Sequence, residues 1–238
     1  MLQSKTISSL YRPKLWPTLS AILGLKVSFV SPGPTLRLRS LGKDLEETFL
    51  EGVAAALNEP LLPSLLITWV HVHGSRLRTE KLALMARRRL QDEPGMAFWL
   101  AVLAVYGMSI GQSKWRVVLK EVGRKAKDHQ PASMALLATA IGSEPWLAGT
   151  DLELPKGALR VRVSDVASVP ELAASNEQYR LRLLYGAELR ADIHWAIHLG
   201  VAAPAEVRRL AVCSQSAATI ILQDIAIARS SITAAKAG

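Results

Sequence analysis

The 238-residue chain has a single cysteine, Cys213. That excludes a disulfide within the chain and any multi-cysteine metal site. A reducing cytoplasm suits such a sequence, and a cytoplasmic location is the expectation. No glycine-rich phosphate loop, dinucleotide fingerprint or serine-nucleophile elbow occurs, so neither an enzyme nor a cofactor is expected. Long uncharged runs are also missing. Residues 95–111, GMAFWLAVLAVYGMSIG, carry no charge but only reach the lower limit for a membrane span, about 17 residues. A second apolar run, 61–72, is interrupted by Pro63. Core helices account for both runs, and no membrane partner is expected. Acids are absent from residues 1–40, which hold six Lys/Arg together with Pro13, Pro17, Pro32 and Pro34. This basic arm reads as a poorly structured or partner-dependent extension. Lys26 breaks its apolar run, and no A-x-A cleavage site follows.

Half of the residues are apolar, and the formal charge is +9. The length supports one large or two small domains, and the charge favours acidic partners such as nucleic acid or anionic lipid. Helical spacing dominates from residue 41 to 145. Leu45, Phe49, Val53, Ala56 and Leu57 form one face. Ser64, Thr79 and Ser113 stand where they can cap further helices. In the helix after Ser113, the bases lie mostly off the Trp115/Val118/Leu119/Val122 face. Trp69, Trp99 and Trp115 read as core. The expected class is mainly α, with a helical bundle over 41–145. Residues 146–178 are richer in Gly and Pro and read as a linker. Within it, 158–164 alternates Leu159, Val161 and Val163 with Arg160, Arg162 and Ser164, which predicts a short strand.

The most informative stretch is 205–228, within a C-terminal domain read as 179–238. Leu189, Ile193, Ala196 and Ile197 fall on one helical face, and Gly200 ends that helix. Pro204 suits the first turn of a second helix, whose inner face is Val207, Leu210 and Ala211. A tight turn follows at Val212, Cys213 and Ser214. Ser214 can cap a third helix with Ala218, Leu222 and Ile225 facing inward. This layout predicts a helix-turn-helix. The run Tyr185-Gly186-Ala187-Glu188-Leu189-Arg190-Ala191-Asp192 and the pattern Glu206-x3-Leu210-Ala211-x2-Ser214-x3-Ala218-x3-Leu222 resemble bacterial winged-helix transcriptional regulators of the MarR/ArsR-like type. The resemblance covers about fifty C-terminal residues. It implies a transcriptional regulator that binds double-stranded DNA through the third helix, as a homodimer. The effector of such a regulator is not legible here.

Two features depart from that pattern. Only residues 229–238 follow the third helix, too few and too alanine-rich for a good β-hairpin, so a wing is expected to be reduced or missing. Residues 186–229 hold four Lys/Arg against four acids, which leaves little charge for phosphate contacts. The candidate DNA-contacting residues are Arg208 and Arg209 on the second helix, then Ser214, Gln215, Ser216, Thr219, Ile220 and Gln223. The arginines suit phosphates, Gln can read adenine, and Ile220 suits a thymine methyl or a protein surface. A helical interaction or scaffold protein with a degenerate helix-turn-helix is therefore an alternative, as is a membrane-associated helical protein. Neither histidine pair is expected to bind metal. His71 and His73 are two apart and would not share a helix face. Between His194 and His198, Trp195 stands where a zinc peptidase needs its glutamate.

Overall fold

A computed structural model describes residues 15–26 and 42–237, with side chains through Ala228. The described residues are mainly helical and form twelve α-helices without a β-strand. The chain divides after Ser175 into two compact units.

The N-terminal unit contains α1 (Leu15–Leu23), α2 (Leu45–Ala55), α3 (Leu62–His73), α4 (Thr79–Arg89), α5 (Met96–Ser109), α6 (Arg116–Asp128), α7 (Ala132–Ile141) and α8 (Val169–Ser175). Its centre is α5. Every residue from Met96 to Gly107 is buried, so the uncharged run is a core helix surrounded by α2, α3 and α6. Small residues bring neighbours close to it. Gly107 faces Trp115, whose indole Nε1 donates to Gln112 Oε1 at 2.9 Å, and the Gln112 amide donates to the Val70 carbonyl at 3.1 Å. Phe49 packs between Trp69 and Trp115, with ring centroids 5.5 and 6.0 Å away. Thr79 does not cap α4 but is its first residue. The orphan N–H of Arg78 is instead met by Glu46 Oε1, at 2.9 Å. Glu46 also lies 3.5 Å from Lys81 Nζ, a buried lysine that also pairs with Asp44. α7 is apolar yet buries only Ala138, leaving Leu136, Leu137 and Ile141 exposed.

Two expectations for this unit are corrected. Part of the basic arm is folded. Leu15, Trp16, Leu19, Ile22 and Leu23 recur at helical spacing and are buried, and Pro17 falls within the first turn, where its missing N–H costs nothing. The end of α1 is tied down by Trp69 Nε1 donating to the Leu23 carbonyl at 2.8 Å and by the Ala167 N–H donating to the Gly24 carbonyl at 2.7 Å. Residues 1–14 and 27–40 of the arm lie outside the described residues. The strand expected at 158–164 does not form. Its backbone lies along α3 instead. Arg160 N–H donates to Ser64 Oγ at 3.3 Å, and Arg162 N–H to Thr68 Oγ1 at 3.1 Å. Alternation put Val161 and Val163 on one side, but no second strand covers them among the described residues, and both are exposed. The surrounding stretch is not a free linker either. Leu147, Leu152, Leu154, Val166 and Leu172 are buried in this unit. A reciprocal Ser168/Glu171 cap opens α8: Ser168 N–H donates to Glu171 Oε2 at 2.7 Å, and Glu171 N–H to Ser168 Oγ at 3.4 Å.

The C-terminal unit is built from α9 (Glu177–Tyr185), α10 (Leu189–His198), α11 (Pro204–Ala211) and α12 (Gln215–Ala237). Asn176 caps α9 by accepting from the Tyr179 N–H at 3.0 Å. α9 and α10 are joined internally by an ion pair without solvent access: Arg182 Nη2 donates to Asp192 Oδ1 at 2.7 Å, and Gln178 Nε2 donates to the same oxygen at 3.2 Å. Ile193, Ala196, Val207, Ala211, Ala218 and Ile225 form the apolar core, with Leu189, Ile197, Leu210 and Leu222 packed against it. These are the inward-facing positions read from the sequence. α12 continues to Ala237, so residues 229–237, which a hairpin would have required, are helical.

Candidate nucleic-acid interface

The candidate site is built by α11, the three-residue connection 212–214 and the first half of α12. Pro204 starts α11 in its first turn, and Gly200 (φ +80°) closes α10 before it. α11 ends at Val212, which adopts φ +48°, ψ +68°. A left-handed β-branched residue is strained. It is held there because both Val212 and Cys213 donate their N–H groups to the Arg208 carbonyl, the latter at 3.2 Å. Ser214 then starts α12: its Oγ accepts from the Ala217 N–H at 3.1 Å, and its carbonyl accepts from the Ala218 N–H at 3.1 Å. The helix direction turns by 111° between α11 and α12. Cys213 packs against the core of the unit, half-buried.

Buried Ala218 and Ile225 fix the rotation of α12 about its axis and leave the opposite side open. Ser216, Ile220 and Gln223 are exposed there with Thr219 half-buried beside them, whereas Gln215, three residues before Ala218, is exposed at the helix start on a different side. Arg208 and Arg209 are exposed on α11. All eight candidate residues thus lie on α11, the connection 212–214 and the first half of α12, but their chemistry differs. The hydroxyls are largely committed to local structure. Ser214 caps the helix, Ser216 Oγ lies 3.1 Å from Ser214 Oγ, and Thr219 Oγ1 donates to the Gln215 carbonyl at 3.0 Å. The amides of Gln215 and Gln223 have no hydrogen-bond partner among the described residues. They are eight residues apart, which separates them by about 12 Å along the axis. Ile220 is 57% exposed and Ile227 65% exposed, so this face carries aliphatic side chains beside the Gln223 amide. Its one ion pair is peripheral, Arg190 to Asp224 at 3.5 Å, with both side chains about half exposed.

The histidines have ordinary surroundings. His73 Nε2 is 2.8 Å from the Ala167 carbonyl, which fixes the proton on that nitrogen, while His71 Nδ1 meets Tyr106 Oη at 2.9 Å. The two rings therefore serve different neighbours. Burial pushes the His73 pKa down, the Ala167 hydrogen bond opposes this, and Arg76 adds to the depression. His194 stacks on Tyr185, with centroids 4.4 Å apart and planes 2° from parallel. No cluster of metal-ligating side chains occurs among the described residues. No described helix is by itself long and apolar enough to cross a membrane.

The feature that sequence reasoning missed is the buried Arg182–Asp192 pair between α9 and α10. The two residues stand ten apart on different helices, so no spacing in the sequence pairs them. No protein-family model, curated protein or solved structure matches the chain.

Proposed function

We propose that the chain is a DNA-binding transcriptional regulator whose α12 reads duplex DNA as the recognition helix of a helix-turn-helix. The observation that carries this reading is the 111° turn over three residues between α11 and a serine-capped α12. DNA-reading helix pairs cross at about 90–120° over similarly short turns. One face of such a helix is locked into a core while the other is free to enter the major groove. In this reading Gln215 and Gln223 contact base edges, adenine being the base that offers glutamine a donor and an acceptor, and Ile220 meets a thymine methyl. Arg208 and Arg209 contact phosphates and set the register, and Ser214, Ser216 and Thr219 shape the start of the helix. One short helix reads few base pairs, so the regulator acts as a homodimer on two half-sites. The test is binding of full-length protein to duplex DNA across a salt series. The reading expects affinity to fall steeply with salt, and no binding at low salt, or a flat dependence, refutes it.

A second reading is favoured by Ile220 and Ile227, two exposed aliphatics on one face of α12 in a unit with little net charge. In that reading the same helix pair is a protein-interaction surface. It expects self-association or partner capture that DNA does not compete away.

A further inference from the structure

We infer that the N-terminal unit carries its own contact surface for the phosphate backbone of duplex DNA, formed by Arg116, Lys120, Arg124 and Lys127 on α6. The inference takes its ligand from the function proposed above but assigns contact to different residues. α6 buries Val118, Val122 and Ala126 against the core. At 100° per residue the four bases fall within an arc of about 80° centred opposite that buried face. All four are exposed. Arg116, Lys120 and Arg124 have no ion-pair partner among the described residues, and Lys127 approaches only Asp151, at 3.9 Å with both side chains largely in solvent. Of the two acids on the helix, Asp128 lies at its end beside Lys127 and Glu121 is paired. Arg87 Nε and Nη2 donate to its two carboxylate oxygens at 2.7 and 2.6 Å, which cancels its charge.

The stripe is linear, rigid and about 16 Å long, from eleven residues at 1.5 Å each. A DNA strand rises 3.4 Å or so per phosphate while winding round the axis, so successive phosphates lie about 7 Å apart and the stripe faces a row of about three. An anionic bilayer would need no such alignment. On α6 the one large apolar side chain left exposed is Val117, because Val118, Val122 and Ala126 are committed to the core. Backbone contacts of this kind carry no sequence information. They would supply the electrostatic attraction that residues 186–229, with four Lys/Arg against four acids, lack.

The experiment compares full-length native protein, the triple variant Arg116→Gln/Lys120→Gln/Arg124→Gln and the double variant Gln215→Ala/Gln223→Ala. Each is titrated with a mixed-sequence duplex of about two turns over a salt series. The triple variant is expected to lower the slope of log affinity against log salt by about 2.7, at 0.9 per lost phosphate contact. The double variant is expected to keep the native slope. If the triple variant loses its native circular dichroism, the three single variants decide the matter, each lowering the slope by about 0.9. A native slope in the variants overturns this inference alone. Absence of duplex binding by the native protein overturns both it and the proposed function. Loss of binding to phosphatidylserine vesicles, with the duplex isotherm unchanged, overturns it in favour of a lipid surface.

Discussion

Gly107 and Gly123 both lie inside helices, yet replacing each with alanine is expected to move stability in opposite directions. Alanine is favoured over glycine in a helix interior by about 0.8–1 kcal/mol, and at both sites the substitution gains this term. At position 123 nothing opposes it. A Cβ there would lie 3.5 Å from Leu119 Cδ1, an ordinary contact. Gly123→Ala should therefore stabilise the protein by roughly 0.5–1 kcal/mol. At position 107 the new Cβ would lie 2.7 Å from Trp115 Cδ1, 2.8 Å from Cγ and 3.0 Å from Nε1. The indole is fully buried, and its N–H is held by Gln112, itself bonded to the Val70 carbonyl. Retreat of the ring would stretch that chain. Overpacking of this kind costs about 1–3 kcal/mol, and loosening the indole hydrogen bond adds about 1 kcal/mol. After the helix gain is subtracted, Gly107→Ala should destabilise by about 1–3 kcal/mol. Urea denaturation followed by tryptophan fluorescence measures both variants, with unchanged m-values showing that the same transition is compared. A Gly107→Ala protein as stable as the native chain would refute the packing of α6 on α5 described above.

Three further outcomes follow from named contacts. Ser214→Ala should cost about 1 kcal/mol in the C-terminal unit, and Ser214→Asp should restore most of it, as read by amide exchange in α12. Asp192→Ala should destabilise the same unit by about 3–5 kcal/mol, because it strands a fully buried arginine. The apolar double replacement Arg182→Met/Asp192→Leu should recover much of that loss in thermal melts. The third concerns pH. His73 has a folded-state pKa below its unfolded value near 6.5, so the unfolded chain takes up more protons as the solution is acidified. Its contribution to stability is present above about pH 6.5 and is lost as pH falls towards and through the lower folded value. A melting temperature that declines between about pH 7 and 5 less steeply in His73→Gln than in the native chain is the expected result.

The interior of this protein was more legible than its charged groups. Ala218 and Ile225 announce the inner face of α12 because burial imposes a helical period, and the uncharged run around Met96–Ser109 reads as core for the same reason. The prolines of the arm suggested irregular chain, yet Pro17 sits where a helix tolerates it, and the spacing of Leu15, Leu19 and Ile22 was the signal to follow. Alternation at 158–164 failed as a strand signal because alternation describes a segment with one covered face and says nothing about what covers it. Here the neighbour is a helix offering Ser64 and Thr68 hydroxyls. The pairing of Arg182 with Asp192 had no local signature, since ten residues and a helix break separate them. For the candidate interface, the sequence placed all eight residues on two neighbouring helices and the short connection between them. It did not reveal that the serine and threonine hydroxyls would be spent on capping and backbone contacts, leaving Gln215 and Gln223 as the free polar groups.

The most direct test of the central claim is selection by the full-length protein from a pool of random duplexes at moderate salt. A reader that uses Gln215 and Gln223 should enrich a motif with adenines at fixed spacing. Two half-sites repeated about 10 base pairs apart would mark the dimer. Gln215→Ala/Gln223→Ala should abolish the motif while retaining bulk DNA. Recovery of unenriched sequence by the native protein, or the same motif from the double variant, would contradict the claim that α12 reads DNA.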